Sequence, residues 1–334
     1  MNEREAIARL KRIATSDAAR GLLDDAALLG DLVLTHDSIA EGVHYLAHDP
    51  PESVGRKLAA VNASDLAAKG AEPLAALLSL TLAGDDDWEA RFLDGLEAAL
   101  AEFGLNLIGG DTIALPSGAP RVLGLTAIGR AGPRTPSRAG GRAGDRLWLV
   151  GTLGDSAAGL AQLLEDPDAS GPLVEAYRRP QPLIVEGKAF ALHASAMMDV
   201  SDGLLLDASR LAAASNVAAH IDLASLPLSN AFVALRGEER LFAATGGDDY
   251  ALLVALSETV DPFTIPLPSG TTVTAIGRLA EGEGLVLADG DTPVPIPERL
   301  GHEHHGHQYP PVDRRPAGAG VGHGDSGPAP LKPT

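Results

Sequence analysis

Short apolar runs alternate along the chain with stretches in which apolar residues recur every three or four positions. Residues 31–35 (DLVLT) read as a strand, and 51–69 carry Val54, Leu58, Val61 and Leu66 at helical spacing, with Gly70 as the stop. A strand at 74–82, an Ala- and Leu-rich helix at 88–103, a short strand at 105–108 ending in Gly109-Gly110-Asp111, and a strand at 122–129 complete one α/β unit. The turn-rich stretch AGPRTPSRAGGRAGD follows, and a domain boundary is expected within residues 131–141. Beyond it come a strand at 147–150 entering the turn Gly151-Thr152-Leu153-Gly154 and a helix, then a helix at 182–194 and a strand at 196–200. A helix at 204–214 and strands at 218–223, 252–256 and 273–276 make the second half α/β as well. From Gly301 onward Gly, Pro and His dominate, and so few aliphatic residues cannot repay ordering the backbone; a disordered tail is expected. Its histidines 302, 304, 305 and 307 are expected to bind transition metals only adventitiously.

Composition narrows the function. A length of 334 residues fits two domains, and with 45% apolar but only 4% aromatic residues, Leu, Ala and Val must fill the cores. The 26 Lys and Arg against 45 Asp and Glu give a net charge of −19, which argues against nucleic acid or an anionic membrane surface as partner. Any polyanionic ligand must therefore bring cations. There is no cysteine, which excludes disulfides, thiolate metal sites and cysteine nucleophiles. The start, MNEREAIARLKRIA, reads as a charged amphipathic helix rather than a signal peptide, and no run of about 18 apolar residues occurs, so a cytoplasmic protein is expected.

The informative acids follow apolar strands or open glycine turns: Asp24-Asp25, Asp37, Asp65, Asp111, Asp199, Asp202 and Asp248-Asp249. Open α/β sheets place ligand-binding groups at such positions. The period of two along a strand puts Thr35 and Asp37 on one face, a hydroxyl beside a carboxylate. Asp65 shares a helical face with Asn62, while Lys69, four residues on, offers it a plain intrahelical ion pair. Ser201 or Asp202, taken alone, is accounted for as the N-cap of the next helix. The glycine turns at 109–111, 151–154 and 246–249 admit a phosphate, but neither a Walker A loop nor a complete G-x-G-x-x-G fingerprint is present. Converging carboxylates would repel one another and any phosphate, and Mg²⁺, which favours carboxylate and phosphate oxygens, resolves that conflict. The alternative is a solvated acidic surface.

The blocks Leu23-Asp-Asp-Ala-Ala-Leu-Leu29, Leu34-Thr-His-Asp37 with Glu41-Gly-Val-His44, and Lys57-Leu-Ala-Ala-Val-Asn-Ala-Ser-Asp-Leu-Ala-Ala-Lys-Gly-Ala-Glu-Pro73 stand in a distinctive order. They continue with Leu107-Ile-Gly-Gly-Asp-Thr112, Gly154-Asp-Ser-Ala-Ala-Gly-Leu160, Asp199-Val-Ser-Asp-Gly-Leu204 and Gly246-Gly-Asp-Asp-Tyr250. Over residues 22–305 this pattern resembles the thiamine-monophosphate kinases of the aminoimidazole ribonucleotide synthetase-like superfamily. The resemblance implies a two-domain α/β (α+β) fold, with an N-terminal nucleotide, magnesium and dimerisation domain at 1–135, a C-terminal domain at 136–305 and the tail at 306–334. It implies ATP-dependent phosphorylation of thiamine monophosphate to thiamine diphosphate by a homodimer. Position by position it implies Asp25, Thr35, His36, Asp37, Asp65, Asp111, Asp199 and Asp202 as Mg²⁺ ligands, with Asp37, Asp65 and Asp111 central to catalysis. It implies Gly110, Asp111, Arg138 and Ser201 at ATP, and His44, Asp248 and His305 at the thiamine phosphate.

This chain departs from the family pattern at several points. Leu23 stands where a glycine is usual, and His36 replaces a small hydroxyl residue although Mg²⁺ disfavours imidazole. Asp248 replaces a glutamate and is shorter by one methylene, while Gly301-His302-Glu303-His304-His305 aligns only loosely with an aromatic pair that packs on thiamine. Two alternatives stay open: a non-catalytic magnesium-nucleotide-binding protein, and another ATP-using member such as aminoimidazole ribonucleotide synthetase. Relatives that rely on a reactive cysteine conflict with the composition.

Overall fold

The computed structural model describes residues 3–116 and 118–303; the expected tail at 306–334 and the candidate His305 lie outside the described residues. The first half runs α1 (Glu3–Leu10), β1 (Ala27–Leu29), β2 (Leu32–Ala40), α2 (Pro51–Ala68), β3 (Glu72–Leu82), α3 (Asp86–Phe103), β4 (Asn106–Ala114) and β5 (Val122–Arg130). The second runs β6 (Arg146–Val150), α4 (Asp155–Glu165), α5 (Pro172–Arg178), α6 (Ile184–Ala191), β7 (Ala196–Val200), α7 (Leu204–Ser215) and β8 (Ala218–Asp222). It closes with α8 (Asn230–Arg236), α9 (Arg240–Thr245), β9 (Ala251–Leu256), β10 (Val273–Ala280), β11 (Gly284–Asp289) and β12 (Thr292–Val294). Among the described residues no helix is long and apolar enough to cross a membrane.

Two sheets organise the molecule, ordered β1-β2-β5-β3-β4 and β12-β11-β8-β10-β6-β9-β7. Among the strands of the described residues, only the β3–β4 and β8–β11 pairs are parallel. The acids therefore do not line the carboxyl edge of an open parallel sheet, as their spacing suggested. Strands β7 and β9 are buried at every position, and alternate residues feed two cores: Met198, Val200 and Leu253 enter one, Met197, Leu252 and Val254 the other. A strand covered on both faces has no polar alternation to show, which explains the unbroken apolar runs.

Helix α2 connects the halves. Its start follows from a proline in the first turn, its end from Gly70 at φ +60°, and every residue except Glu52 is buried. The apolar spacing read from the sequence predicts one buried stripe; the helix is instead enclosed by β2 and β5, by α3 and by α6. It meets α3 where a Cβ on Gly55 would sit 2.3 Å from the Phe92 carbonyl oxygen, so only glycine admits that crossing. Ala68 lies in the core of the second half, and Tyr250 of the second half lies in the core of the first.

Three expectations are corrected. The strand expected to stop at Gly109 continues as β4 through Asp111, with a register slip against β3 between Ala76 and Leu77. Gly110 is needed there because its φ is +154° and a Cβ would meet the Leu78 carbonyl oxygen at 2.0 Å. The helix expected at 182–194 is shorter, Ile184–Ala191. Neither Ser201 nor Asp202 caps α7: Gly203 occupies that position, and the Asp207 carboxylate instead accepts from the backbone N–H of Ser201 (3.1 Å) and Asp202 (3.0 Å). The short elements α5, α8, α9, β1, β11 and β12 have no counterpart among the expected elements.

Candidate active site

Between the two sheets, the loop before β1, the buried face of β2, helix α2 and the end of β7 bring carboxylates together. Asp25, Asp65 and Asp199 each present an oxygen within 4.8 Å of the others. They are buried, so the alternative of a solvated acidic surface does not hold for them. The Thr35 hydroxyl donates to Asp65, and Ser64 Oγ donates to Asp199 at 2.6 Å. Asp37 lies one residue pair along the same face of β2 as Thr35, and its backbone N–H donates to Asn62 Oδ1 at 2.9 Å.

Two cations balance part of this charge. Lys69, fully buried, lies 2.5 Å from Asp24 Oδ1 and 2.6 Å from Asp25 Oδ2, and donates to the Met197 carbonyl at 3.1 Å. It does not turn to Asp65, so the intrahelical pair suggested by the four-residue spacing is replaced by contacts to the loop before β1. The Arg138 guanidinium pairs with Asp25, and its backbone N–H reaches Asp24 Oδ1 at 3.3 Å. Burial pushes the Asp25 carboxyl up, but Arg138 and Lys69 together hold it below the usual range. The others have less relief. Burial, then the charges of Asp37, Asp199 and Asp25, raise Asp65 well above the ordinary value. Burial and Asp25 push Asp199 up to about 8, and burial with Asp25 and Asp202 raises Asp37 despite the opposing effect of His36.

A pocket that keeps carboxyls partly protonated at neutral pH is short of positive charge. Its donors are all hard oxygens, carboxylates and the Thr35 hydroxyl, and Asp25 Oδ2 is buried without a hydrogen bond of good geometry. That set fits a hard divalent cation and not a soft one.

The remaining sequence candidates fall in several places. His36 alternates to the opposite, exposed face of β2, where Nδ1 meets Thr126 Oγ1 at 2.8 Å, so its ring is not aimed at the carboxylates. Ser201 and Asp202 lie on the loop after β7; Asp202 pairs with Arg210 at 2.5 Å, and its carbonyl accepts from the His302 N–H at 2.8 Å. His44 lies between β2 and α2 and Asp248 before β9, joined by Lys57. Gly110 and Asp111 lie on the exposed edge strand β4. With β5 and β3 between them, β4 stands three strand spacings, about 14 Å, from β2. Within one chain Asp111 does not join the cluster.

Sequence reading passed over Lys57, Ser64 and Asp207 as site-shaping residues. The available signal was a charged or hydroxyl side chain in an otherwise Ala-, Val- and Leu-rich helical stretch, where burial obliges it to find a polar partner.

Two mostly antiparallel sheets, each with one parallel pair, and acids buried between them define the class. Residues 23–131 match the family model of AIR synthase related protein, N-terminal domain, and residues 142–289 that of AIR synthase related protein, C-terminal domain. The chain is 40% identical to the thiamine-monophosphate kinase of Caulobacter vibrioides over 321 residues, covering 89% of each. It is 36% identical to the thiamine-monophosphate kinase of Escherichia coli K12 over 310 residues, 88% of this chain and 94% of the relative. A solved structure of AaThiL complexed with AMPPCP and TMP superposes with a TM-score of 0.80 at 34% identity, covering 91% of this chain and 97% of that one. The chain belongs to the thiamine-monophosphate kinase family within the AIR synthase related proteins.

Proposed function

We propose that this chain transfers the γ-phosphoryl group of ATP to the phosphate of thiamine monophosphate, giving thiamine diphosphate and ADP. The observation that carries the reading is the buried, under-neutralised cluster of Asp25, Asp65 and Asp199 in a chain of this family. An acceptor phosphate oxygen forms the new bond to the γ-phosphorus while the bond from that phosphorus to the β–γ bridging oxygen breaks. A phosphate monoester with a second pKa of about 6 is largely a dianion at neutral pH, so no general base is required. Repulsion between the two anions is the obstacle. When bound, Mg²⁺ held by Asp25, Thr35, Asp37, Asp65 and Asp199 would supply counter-charge to the phosphates.

The chain's own groups do the rest. Arg138 is placed to offer a guanidinium fork to nucleotide phosphates, exchanging them for Asp25. His44 accepts the Ala40 N–H on Nδ1 at 3.0 Å, so the neutral ring carries its proton on Nε2, a donor for the acceptor phosphate.

The working form we propose is a homodimer. The face of the first sheet away from α2 and the edge strand β4 leave Leu77, Leu107, Ile108 and Ile113 38–63% exposed, an apolar surface that a second copy would cover. Asp111 sits on that surface, and we infer that it serves the partner's carboxylate cluster. Need for ATP suits a cytoplasmic location.

The test is a coupled assay of ADP release with ATP and Mg²⁺, comparing thiamine monophosphate with unphosphorylated thiamine, together with chromatographic detection of thiamine diphosphate. Turnover with the monophosphate alone is expected. Magnesium-dependent ATP binding with no thiamine diphosphate formed would instead establish the non-catalytic nucleotide-binding alternative.

A further inference from the structure

A second ionic centre lies beside the carboxylate cluster, and its cation is Lys57 of α2. The side chain is 2% exposed. Its ammonium donates to the His44 carbonyl at 2.9 Å and to Asp248 Oδ2 at 2.8 Å, and it lies 4.1 Å from the centre of the Tyr177 ring. An ammonium has three donors and no acceptor, and these contacts account for its charge without solvent.

Both groups it holds are on loops. His44 lies on the connection between β2 and α2, which Asp49 closes by accepting from the Leu46 N–H at 2.8 Å and from Arg178 Nε at 2.8 Å. Asp248 and Tyr250 have φ of +69° and +52°, a region that side-chain-bearing residues seldom adopt. Such backbone persists only where its surroundings over-determine it. Here the Asp248 N–H donates to the Ser201 carbonyl at 2.7 Å, the Tyr250 N–H to the Val200 carbonyl at 2.9 Å, and the Tyr250 hydroxyl to Asp248 Oδ1 at 2.9 Å. Lys57 completes the set. Each Asp248 oxygen thus has one donor from within the chain, an arrangement open to this shorter carboxylate standing where the family pattern has glutamate.

We propose that Lys57 is a positioning residue for the acceptor: it fixes His44 from the first half and Asp248 from the second at one distance from each other, so that thiamine monophosphate meets a preset pair, the His44 ring toward its phosphate and the Asp248 carboxylate toward its cationic thiamine part. This rests on the functional reading above, in which those two residues face thiamine monophosphate. Lys57 acts through them and touches neither substrate.

The experiment measures steady-state kinetics for both substrates in Lys57→Met and in the double variant Lys57→Met/Asp248→Asn, with melting temperature as the check on folding. The expected result for Lys57→Met is a KM for thiamine monophosphate raised about tenfold or more with the KM for ATP within about twofold, since only acceptor contacts are disturbed. The double variant, which leaves no buried charge unpaired, keeps the test available if the single variant does not fold: set beside Asp248→Asn alone, it should raise the KM for thiamine monophosphate further, through release of His44, and an equal KM in the two overturns the proposal. A role in folding alone would lower the melting temperature while leaving both KM values unchanged, and that result overturns the proposal, as does an equal rise in both. Absence of turnover by the unmutated chain overturns the functional reading and this inference together, whereas turnover without the split overturns only the inference.

Discussion

Two charged centres lie a few residues apart on α2, and they are built on opposite principles. Around Lys57 the charges balance within the chain: Asp248, pushed up by burial, is drawn below its ordinary range by Lys57 and the Tyr250 hydroxyl. Around Asp65 they do not balance, and burial with neighbouring carboxylates holds Asp65 and Asp199 raised even with Lys69 and Arg138 beside Asp25. The first centre is complete as folded. The second is short of positive charge, which supports the proposed binding of metal and polyphosphate there.

The largest expected effect breaks the unbalanced centre. Asp65→Asn preserves shape and the Thr35 contact but removes a ligand charge, so kcat should fall about 10³-fold or more. Because the lost charge was a repelled one, the melting temperature without metal should not fall, while stabilisation by Mg²⁺ should disappear; a strongly destabilised variant would show that the carboxylate is structural.

Next comes the contribution proposed for a second copy. Asp111→Asn alone should cost about 100-fold or more in kcat. Mixed and re-associated one to one with Asp65→Asn, it should restore about a quarter of normal activity, because half the dimers are mixed and each has one site with both acids intact. No recovery on mixing would place Asp111 in its own chain's site or outside any site.

A smaller effect is expected at the support of Arg138. Ser215 Oγ donates to the Arg138 carbonyl at 2.7 Å and accepts from Gly140 and Gly141 N–H at 3.2 and 3.0 Å. Ser215→Ala should raise the KM for ATP roughly three- to tenfold with little change in kcat, through looser placement of the arginine. An unchanged KM would show that the turn holds its shape without the hydroxyl.

The last expected effect is a slope in stability rather than a change in rate. Asp199, Asp207 and Asp249 are pushed up to about 8, 7 and 8, first by burial, from an ordinary value of 3.8. Across that window the folded chain binds more protons than the unfolded one, so stability without metal falls as pH rises from about 4 to about 8. Saturating Mg²⁺ should flatten the decline, since metal takes the place of the proton on Asp199. Calorimetry at several pH values with and without Mg²⁺ measures both, and a flat metal-free profile would mean these groups are not held protonated.

Much of this was legible in the chain. The periods of β2, α2, β3, α3 and α7 announce those elements because each is long or regular enough to repeat, and the ordered aspartate and glycine blocks carry the family. The strand period also put Thr35 and Asp37 side by side, as found. Partners were not legible: a spacing of four joined Lys69 to Asp65, whereas the fold gives Lys69 to Asp24, 45 residues upstream, and to its neighbour Asp25.

The amino-acid sequence by itself determined the elements, the family and the residues able to do the chemistry, because local periodicity and motif order are properties of neighbours along the chain. Only the tertiary structure decided which carboxylates share a buried pocket, that His36 faces away from it, that Asp111 lies on an exposed edge, and that Lys57 binds two loops together. Those outcomes depend on burial and on contacts between residues as far apart as 57 and 248, and the energy of a charge is set by what surrounds it in space rather than by what precedes it in sequence.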